Sequence, residues 1–169
     1  SVGKISRPLI TAFVFFVLLA LVSCDNKNKE TQINLDKKLD FEVEYLKGYF
    51  PKNDIEFNAP VKAVVIAKQA DLDKYFGIAQ TMKNQVPAID FEKNKVVAII
   101  SAPSDKKQEI IISSTNLKDN KLLVKYKLNV EEETQSFTST DLKMFQIPKS
   151  VYAVDFIIDK DESKINKNQ

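Results

Sequence analysis

Apolar residues recur at every second position through much of the chain between residues 40 and 159, and this period predicts β-strands. The clearest case covers residues 122–130, where five apolar side chains share one parity: Leu122, Val124, Tyr126, Leu128 and Val130. Such a pattern indicates a strand with one face in the core and the other in water. Shorter stretches of the same kind predict strands at residues 41–45 and 152–158.

Compact apolar runs indicate further strands at residues 61–67, 96–102, 109–114 and 142–147. The run at 96–102 is almost continuous and is interpreted as a central strand. Pro103 and Pro148 end two of these runs, because proline has no N–H group to donate to a sheet. Residues 118–121 predict a hairpin turn, since their central Asp and Asn tolerate turn conformations.

One segment has helical spacing, with apolar residues at Leu72, Tyr75, Phe76, Ala79 and Met82. Asp71 is expected to cap the start of this helix, and Pro87 lies beyond its end. The aromatic residues and the methionine in the stripe are interpreted as core packing rather than as a cofactor site. The whole pattern predicts an α+β fold, with a mostly antiparallel β-sheet of about six to seven strands and one covering helix.

The first 24 residues have the three parts of a secretory signal. Lys4 and Arg7 precede an apolar run of 14 residues, which leads into Leu21-Val22-Ser23-Cys24. This tetrapeptide resembles a bacterial lipobox, which implies cleavage before Cys24 and attachment of diacylglycerol to its sulfur. The run is shorter than the roughly 20 apolar residues of a membrane-spanning helix. A single-pass anchor and a cleaved signal without lipid remain the alternatives.

These patterns divide the chain into four parts: a signal peptide at 1–23, the lipidated cysteine and a flexible tether at 24–39, a single globular domain at 40–159 and a disordered tail at 160–169. The tether and the tail are predicted from their polar composition. Stable membrane attachment needs more than one acyl chain, and a lipoprotein cysteine carries two or three, so the lipid alone is expected to hold the protein. The predicted location is the bacterial cell envelope, on the periplasmic or surface face of a membrane.

Composition narrows the classes of function. Removing Lys4 and Arg7 with the signal lowers the 25 basic residues to 23, which equals the 23 acidic residues and leaves no net charge. A basic surface for nucleic acid is therefore not expected. The chain has no histidine and a single cysteine, Cys24. This excludes catalytic triads with histidine and histidine zinc sites, and a lipidated Cys24 leaves no thiol for a disulfide.

Two patterns remain as candidates for chemistry. Ser104-Asp105-Lys106-Lys107 has the S-x-x-K spacing of penicillin-binding enzymes, but their SDN and KTG partners are missing and the segment is predicted to be a solvated turn. The carboxylate pairs Asp71/Asp73 and Asp90/Glu92 have the chemistry for acid–base catalysis or calcium binding. We interpret them instead as charges at a helix start and at a strand entry. The prediction is a protein that is not an enzyme and binds no metal or cofactor.

The sequence PAIDFEKNKVVAII at residues 87–100 is similar to the DF-x-K-x-x-V-V-A strand entry of the PrcB C-terminal-like domain family. The similarity covers about residues 60–158 and includes STD at 139–141, MFQIPKS at 144–150 and, in the place of that family's short aromatic helix, residues 71–76. The chain also resembles a group of uncharacterised lipoproteins that share YF, YFG-x-A, DF and QSFT elements, here at 49–50, 75–79, 90–91 and 135–138.

The family is named for an accessory lipoprotein of a surface protease complex, which implies protein binding without catalysis. This chain departs from the family pattern after the central strand. Residues 102–108 contain no glycine, whereas the family usually has a glycine-rich turn there. The partner implied by the resemblance therefore need not be the partner of this protein.

Our leading hypothesis is a lipid-anchored accessory module that contacts another envelope or secreted protein. Loops predicted at residues 102–108 and 131–141 are the expected contact surface, because loops commonly carry function. The candidate binding residues within them are Ser104, Lys106, Lys107, Phe137 and Thr138. Phe137 is expected to be exposed among polar neighbours, with packing under its own loop as the alternative.

Two other functions remain open on the sequence. One is a peptidase inhibitor that inserts one of the two loops into a protease cleft. The other is a small-ligand binder, for which an apolar cavity between helix and sheet is expected near Tyr75, Phe76 and Met82. The oligomeric state is not indicated by any pattern.

Overall fold

The structure, a computed structural model, describes residues 39–40 and 42–160, with side chains from residue 42 onward. The signal peptide, Cys24, nearly all of the tether and residues 161–169 of the tail lie outside the described residues. Within the described part of the chain, no helix has both the length and the apolar character needed to cross a membrane.

Nine strands, one α-helix and one 3₁₀ helix make up the described fold: β1 (Leu39–Asp40), β2 (Tyr49–Pro51), β3 (Val61–Ile66), α1 (Gln69–Tyr75), β4 (Phe76–Ile78), the 3₁₀ helix (Gln80–Met82), β5 (Asn94–Ser101), β6 (Ser104–Lys118), β7 (Lys121–Ser139), β8 (Leu142–Pro148) and β9 (Ala153–Ile158). They form three sheets, and all but one of the strand pairs are antiparallel.

The central sheet has the strand order β3-β5-β8. β5 pairs along its length with both neighbours, and its residues 96–101 are fully buried. A strand covered on both faces needs apolar side chains at consecutive positions rather than at every second one. This explains the unbroken apolar run at 96–100 that indicated a central strand.

The second sheet has the order β1-β6-β7-β9 and is built on the long hairpin of β6 and β7. Asp119 and Asn120 form its two-residue turn, and both have a positive φ (51° and 58°). Positive φ at both central positions is typical of the type I′ turn, whose twist matches that of the flanking strands. β9 pairs with the first part of β7, from Lys121 to Tyr126, and it is parallel to β7.

The two faces of the central sheet contact different layers. On one face, Val97 and Ile99 of β5 pack with residues of the β6–β7 hairpin in a core that includes Ile110, Leu122 and Val124. The opposite face carries Val96, Ala98 and Ile100, which pack with residues of α1 and its surroundings: Ile66, Leu72, Phe76, Ile89 and Met144. Each fully buried aliphatic side chain contributes roughly 1.5–3 kcal/mol relative to its exposed state, so both layers stabilise the central sheet.

The third sheet, β2-β4, lies beside the helix and pairs Tyr49–Pro51 with Phe76–Ile78. Gly48 precedes it with φ at +92°, and a Cβ there would lie 2.5 Å from Val86 Cγ2. Only glycine meets both conditions, the left-handed backbone and the close approach of a neighbour.

The predicted fold class is confirmed: the described fold is mostly β, mostly antiparallel and has one short helix. Its strands form three sheets rather than one, and the three short strands β1, β2 and β4 were not predicted as such. The strand predicted at residues 41–45 is wrong over its described part. Residues 42–44 are not in a strand, and Tyr45 makes only an isolated bridge to Phe145.

The predicted helix was too long. It ends at Tyr75, because Phe76 is already extended (φ −131°, ψ 145°) and continues into β4. The apolar residues with helical spacing do not belong to one helix: Leu72 and Tyr75 lie in α1, Phe76 in β4 and Met82 in the 3₁₀ helix. Of these, Leu72 and Phe76 are buried. Asp71 is not the cap, since Lys68 takes that position without a side-chain hydrogen bond.

Candidate functional site

The outer end of the β6–β7 hairpin extends past the core and is the candidate site. We call residues 104–109 of β6 together with residues 129–139 of β7 the arm. Most side chains of the arm are exposed, in contrast to the buried Ile110, Leu122 and Val124 in the inner half of the same hairpin. Val130 and Phe137 are 50% and 59% exposed, although both are large and apolar.

All five predicted binding residues lie in this arm: Ser104, Lys106, Lys107, Phe137 and Thr138. They come from two segments about 30 residues apart in sequence, and the pairing of Ser104 with Ser139 brings the two segments together. Phe137 is exposed as expected, and the alternative that it packs under its own loop is wrong. The binding role of the five residues stays a prediction.

The prediction that residues 102–108 and 131–141 are loops is wrong for most of their length, because residues 104–108 and 131–139 are in strands. Their polar composition is typical of loops, but the two strands of a ribbon pair their inward backbone groups with each other and need no buried face to do so. Pairing in the arm is irregular. Between the pairs Ser104–Ser139 and Gln108–Val130, β6 advances by four residues and β7 by nine. The extra residues of β7 form bulges, which bend a strand and redirect its side chains.

Asp141 fixes the base of the arm. Its backbone N–H donates to Ser101 Oγ at 2.6 Å, and its carbonyl accepts the Ser101 N–H at 2.9 Å. Its carboxylate Oδ2 accepts the N–H of Ile110 at 2.7 Å and lies 3.5 Å from Lys143 Nζ. One residue thus joins the end of β5, the start of β8 and the point where β6 leaves the core.

The outer edge of β6 is capped by side chains. Leu128 and Ile110 are opposite each other, and Asp141 rather than β7 accepts the Ile110 N–H. Four residues before Ile110 in the sequence, the Lys106 N–H donates to Ser104 Oγ at 3.0 Å. Capped N–H groups are not available to another chain, so this edge is protected against further pairing.

Beyond the end of β9, the outer edge of β7 differs from the capped edge of β6. The Tyr126 carbonyl accepts the Asp159 N–H at 2.6 Å, so the backbone groups of Tyr126 face the β9 side. The register to β6 is unbroken from Tyr126 to Val130. Strand alternation therefore turns the N–H and C=O groups of Leu128 and Val130 to the same side. No strand or side chain among the described residues pairs with them there.

A groove of about 460 Å³ lies at the end of β9, beside this edge. Its lining is mainly apolar and includes Pro60, Val61, Leu128 and Ile158, with Lys127 and Lys160 also in the lining. Ile158 is 61% exposed, which is unusual for an isoleucine at the end of a strand. Tyr126 forms part of the groove wall, and burial raises the pKa of its phenol above the usual value of about 10.

The space between helix and sheet, where a small-ligand cavity was expected, is occupied by core side chains. Leu72 and Phe76 are buried there together with Ile66 and Ile89. A cleft of about 210 Å³ remains beside them, and a mainly polar one of about 310 Å³ lies near Tyr75. Sites for drug-sized ligands usually measure about 300–1,000 Å³ and are mostly apolar, so neither cleft has both properties.

The two patterns considered for chemistry have ordinary structural partners. The Ser104 hydroxyl accepts the Lys106 N–H, and Lys107 Nζ lies 3.7 Å from Glu131. Asp73 accepts a hydrogen bond from Gln69 at 2.9 Å, and Asp90 accepts the Glu92 N–H at 3.0 Å. The residues that the structure describes contain no group of three or more potential metal ligands.

Sequence reasoning missed the open edge of β7 and the groove beside it. The sequence contained one signal for this edge. Val130 is the last apolar residue of the alternating series at 122–130, and Glu131, Glu132 and Glu133 follow it directly. The sequence does not reveal that β9 pairs in parallel with β7 and ends opposite Tyr126. That pairing decides which part of the edge is covered.

Comparison of the chain with protein-family models, with curated proteins and with solved structures found no match. The resemblance to the PrcB C-terminal-like domain family stays a prediction, as does the lipidation of Cys24.

Proposed function

We propose that this protein is a lipid-anchored accessory module of the bacterial envelope that binds another envelope or secreted protein through its arm and does not catalyse a reaction. The observation that carries the proposal is the arm itself, a ribbon that extends beyond the core with Phe137 and Val130 largely exposed. Aromatic side chains such as Phe137 are enriched in protein–protein interfaces relative to the rest of the surface.

The attachment of the arm supports this role. A contact surface needs to be held in a defined position, since ordering it on binding costs affinity. Asp141, Ser101 and Ile110 connect the base of the arm to the central sheet through hydrogen bonds of 2.6–2.9 Å. Gln108 adds a hydrogen bond of 2.8 Å from its side-chain amide to the Ala102 carbonyl. The arm is therefore tied to the most buried part of the fold.

The proposed lipid anchor also supports a role in binding another protein. The lipobox at residues 21–24 and the polar segment that follows it in the sequence are suited to holding a domain near a membrane while leaving it free to reach a membrane-associated or secreted partner. Attachment also raises the effective concentration of the module toward a partner in the same membrane.

The test is chemical crosslinking and co-purification of the lipidated protein from its own envelope. Phe137→Ala is compared with Tyr152→Ala, which removes a similarly exposed aromatic (69%) at the start of β9. We expect one stoichiometric partner, a loss of at least tenfold in its recovery with Phe137→Ala and no loss with Tyr152→Ala. Cys24→Ala is expected to release the protein from the membrane and to lower the recovery of the partner.

Absence of any stoichiometric partner of the wild-type protein would contradict the proposal. Equal losses from Phe137→Ala and Tyr152→Ala would leave the partner but remove the arm as its site. Inhibition of a protease by the purified protein, abolished by Phe137→Ala, would instead support the inhibitor hypothesis.

A further inference from the structure

We infer that the partner is recognised by strand addition: an extended segment of the partner protein pairs with the open edge of β7 at Leu128 and Val130. The same segment places an apolar side chain in the groove beside Ile158 and basic side chains near the three glutamates at 131–133. This inference rests on the proposed function and names the mode of binding and the chemistry of the partner segment.

The backbone of β7 provides the first part of the argument. An edge strand with unpaired N–H and C=O groups is a template for another strand. β9 already uses the first half of this edge, up to Tyr126, and the edge continues without a break in register to Val130. Asp159 and Lys160 follow β9 and line the groove beside Leu128, and a strand placed beyond them meets the backbone groups of Leu128 and Val130.

The contrast with the other edge of the same hairpin supports this choice. On β6, Asp141 and Ser104 accept the outward N–H groups of Ile110 and Lys106. No side chain among the described residues does the same at Leu128 or Val130. Side chains occupy two outward N–H groups on the β6 edge, whereas the β7 edge is open over a stretch of regular strand.

The groove beside this edge gives a second reason to infer strand addition. A partner strand at this edge turns alternate side chains toward the face of the sheet that carries Tyr126, Leu128 and Val130. That face borders the groove of about 460 Å³, with Pro60 and Val61 on its other side. An aliphatic side chain of the partner fits this lining, and its burial there contributes roughly 1.5–3 kcal/mol.

The negative charge next to this edge gives a third reason, and it indicates a basic partner segment. Glu131, Glu132 and Glu133 are exposed and follow Val130 directly. Lys107 approaches Glu131 at 3.7 Å, but both side chains are more than three-fifths exposed, so the pair neutralises the cluster only weakly. The glutamates lie in the irregular part of β7 between the pairs Gln108–Val130 and Lys106–Thr134, directly after the regular stretch of the edge. Basic residues of the partner segment are therefore expected beyond the part that pairs with Leu128 and Val130.

The same charges disfavour a second copy of this chain as the occupant. A two-fold antiparallel pairing centred on Asn129 would run residues 131–133 of each copy against the end of β9, which already pairs with Tyr126 of the other copy. A centre further out, at residues 131–133, would place the glutamates of one copy opposite those of the other. Like charges directly opposite each other on paired strands are destabilising. A basic segment of a different protein meets no such repulsion.

The experiment measures the binding of fluorescein-labelled ten-residue peptides to the full-length lipidated protein in detergent by fluorescence polarisation. The probe alternates threonine with valine in one half and threonine with lysine in the other, and is made in both sequence orders. The first control replaces its lysines by glutamates. The second control is the same basic peptide N-methylated at every second amide, which removes the donors of one edge. We expect both controls to bind at least tenfold more weakly than the probe.

Two protein variants test the site. Val130→Pro removes the outward N–H while leaving the ladder to β6, because that N–H faces away from β6. Val130→Thr keeps the N–H and the branched shape and is the matched control. We expect at least a tenfold loss of probe binding for the first and less than a twofold change for the second. Circular dichroism verifies that the proline variant folds, and the N-methylated peptide makes the same test on the unaltered protein.

A variant ending at Lys160 is measured in parallel with the full chain. Equal affinity of the two forms supports the inference. Binding only by the shortened form overturns it, because residues 161–169 and not a partner would then occupy the edge. Equal binding of the N-methylated peptide or of the glutamate peptide also overturns it.

The two proposals fail in different ways. A native partner whose recovery depends on Phe137 but survives Val130→Pro leaves the proposed function standing and removes strand addition. A wild-type protein that recovers no partner from its envelope removes the proposed function, whatever the peptides do.

Discussion

Asp141 shows how a single residue connects the site to the fold. Its backbone closes the hairpin against Ser101, and its carboxylate accepts an N–H of β6 that has no strand partner on that side. An N–H group in this position is partly buried and costs free energy if it is left without an acceptor. The acidic side chain thus has a structural role as the acceptor for the backbone N–H of Ile110.

Asp141→Ala is expected to lower the free energy of unfolding by about 1–3 kcal/mol, because it leaves the Ile110 N–H without an acceptor. Asp141→Asn keeps an oxygen in the same place and is expected to cost clearly less, since it loses only the ion pair to Lys143. Urea denaturation of both variants measures the difference. Equal losses would show that the charge, rather than the hydrogen bond, is what matters at this position.

At the scale of elements, the sequence predicts a strand or turn best where a single physical cause determines the order of apolar and polar residues. β5 is buried on both faces, so its apolar run ends close to where its strand ends. The turn at Asp119 and Asn120 follows from the tolerance of these residues for positive φ. The arm was predicted as two loops, because its stability comes from pairing between strands and not from a buried face. Likewise, the helix was predicted too long because residues of separate elements share one core and mimic one period.

The hairpin turn gives a prediction at this scale. Asn120→Ala is expected to lower the free energy of unfolding by about 1–2 kcal/mol, because a Cβ without a compensating polar group is disfavoured in the left-handed region. Asn120→Gly is expected to cause no loss, since glycine adopts this conformation freely. Thermal unfolding followed by circular dichroism measures both variants. A similar loss for glycine would mean that the Asn120 side chain, and not its φ, stabilises the turn.

At the scale of the whole molecule, the central sheet is stabilised from both sides by cores that use different residues of the same strands. Val97 and Ile99 face the hairpin, and Val96, Ala98 and Ile100 face the helix layer. Tyr126 belongs to the core that faces the hairpin and also lines the groove. Tyr45 and Tyr49 lie at the margin of the fold. Burial raises the pKa of all three phenols.

Stability is therefore expected to fall as the pH rises above about 10, the usual pKa of tyrosine. In that range the unfolded chain releases phenolic protons that the folded chain keeps. The unfolded state then binds fewer protons, and the free energy of unfolding decreases with pH. Tyr126→Phe is expected to reduce this decrease. Urea denaturation on both sides of pH 10 checks this, and an unchanged slope for Tyr126→Phe would contradict it.

The hairpin of β6 and β7 is inserted between two strands that are neighbours in the central sheet, and the Ser101–Asp141 hydrogen bonds close its base. Its inner half belongs to the core, but residues 104–109 and 129–139 contribute little to it. Substitutions in this outer ribbon are therefore expected to leave the supporting layers intact, so that under the proposed function the binding surface can change while the core is inherited unchanged. Because that ribbon is made of two separated stretches, specificity is expected to diversify through correlated changes in both.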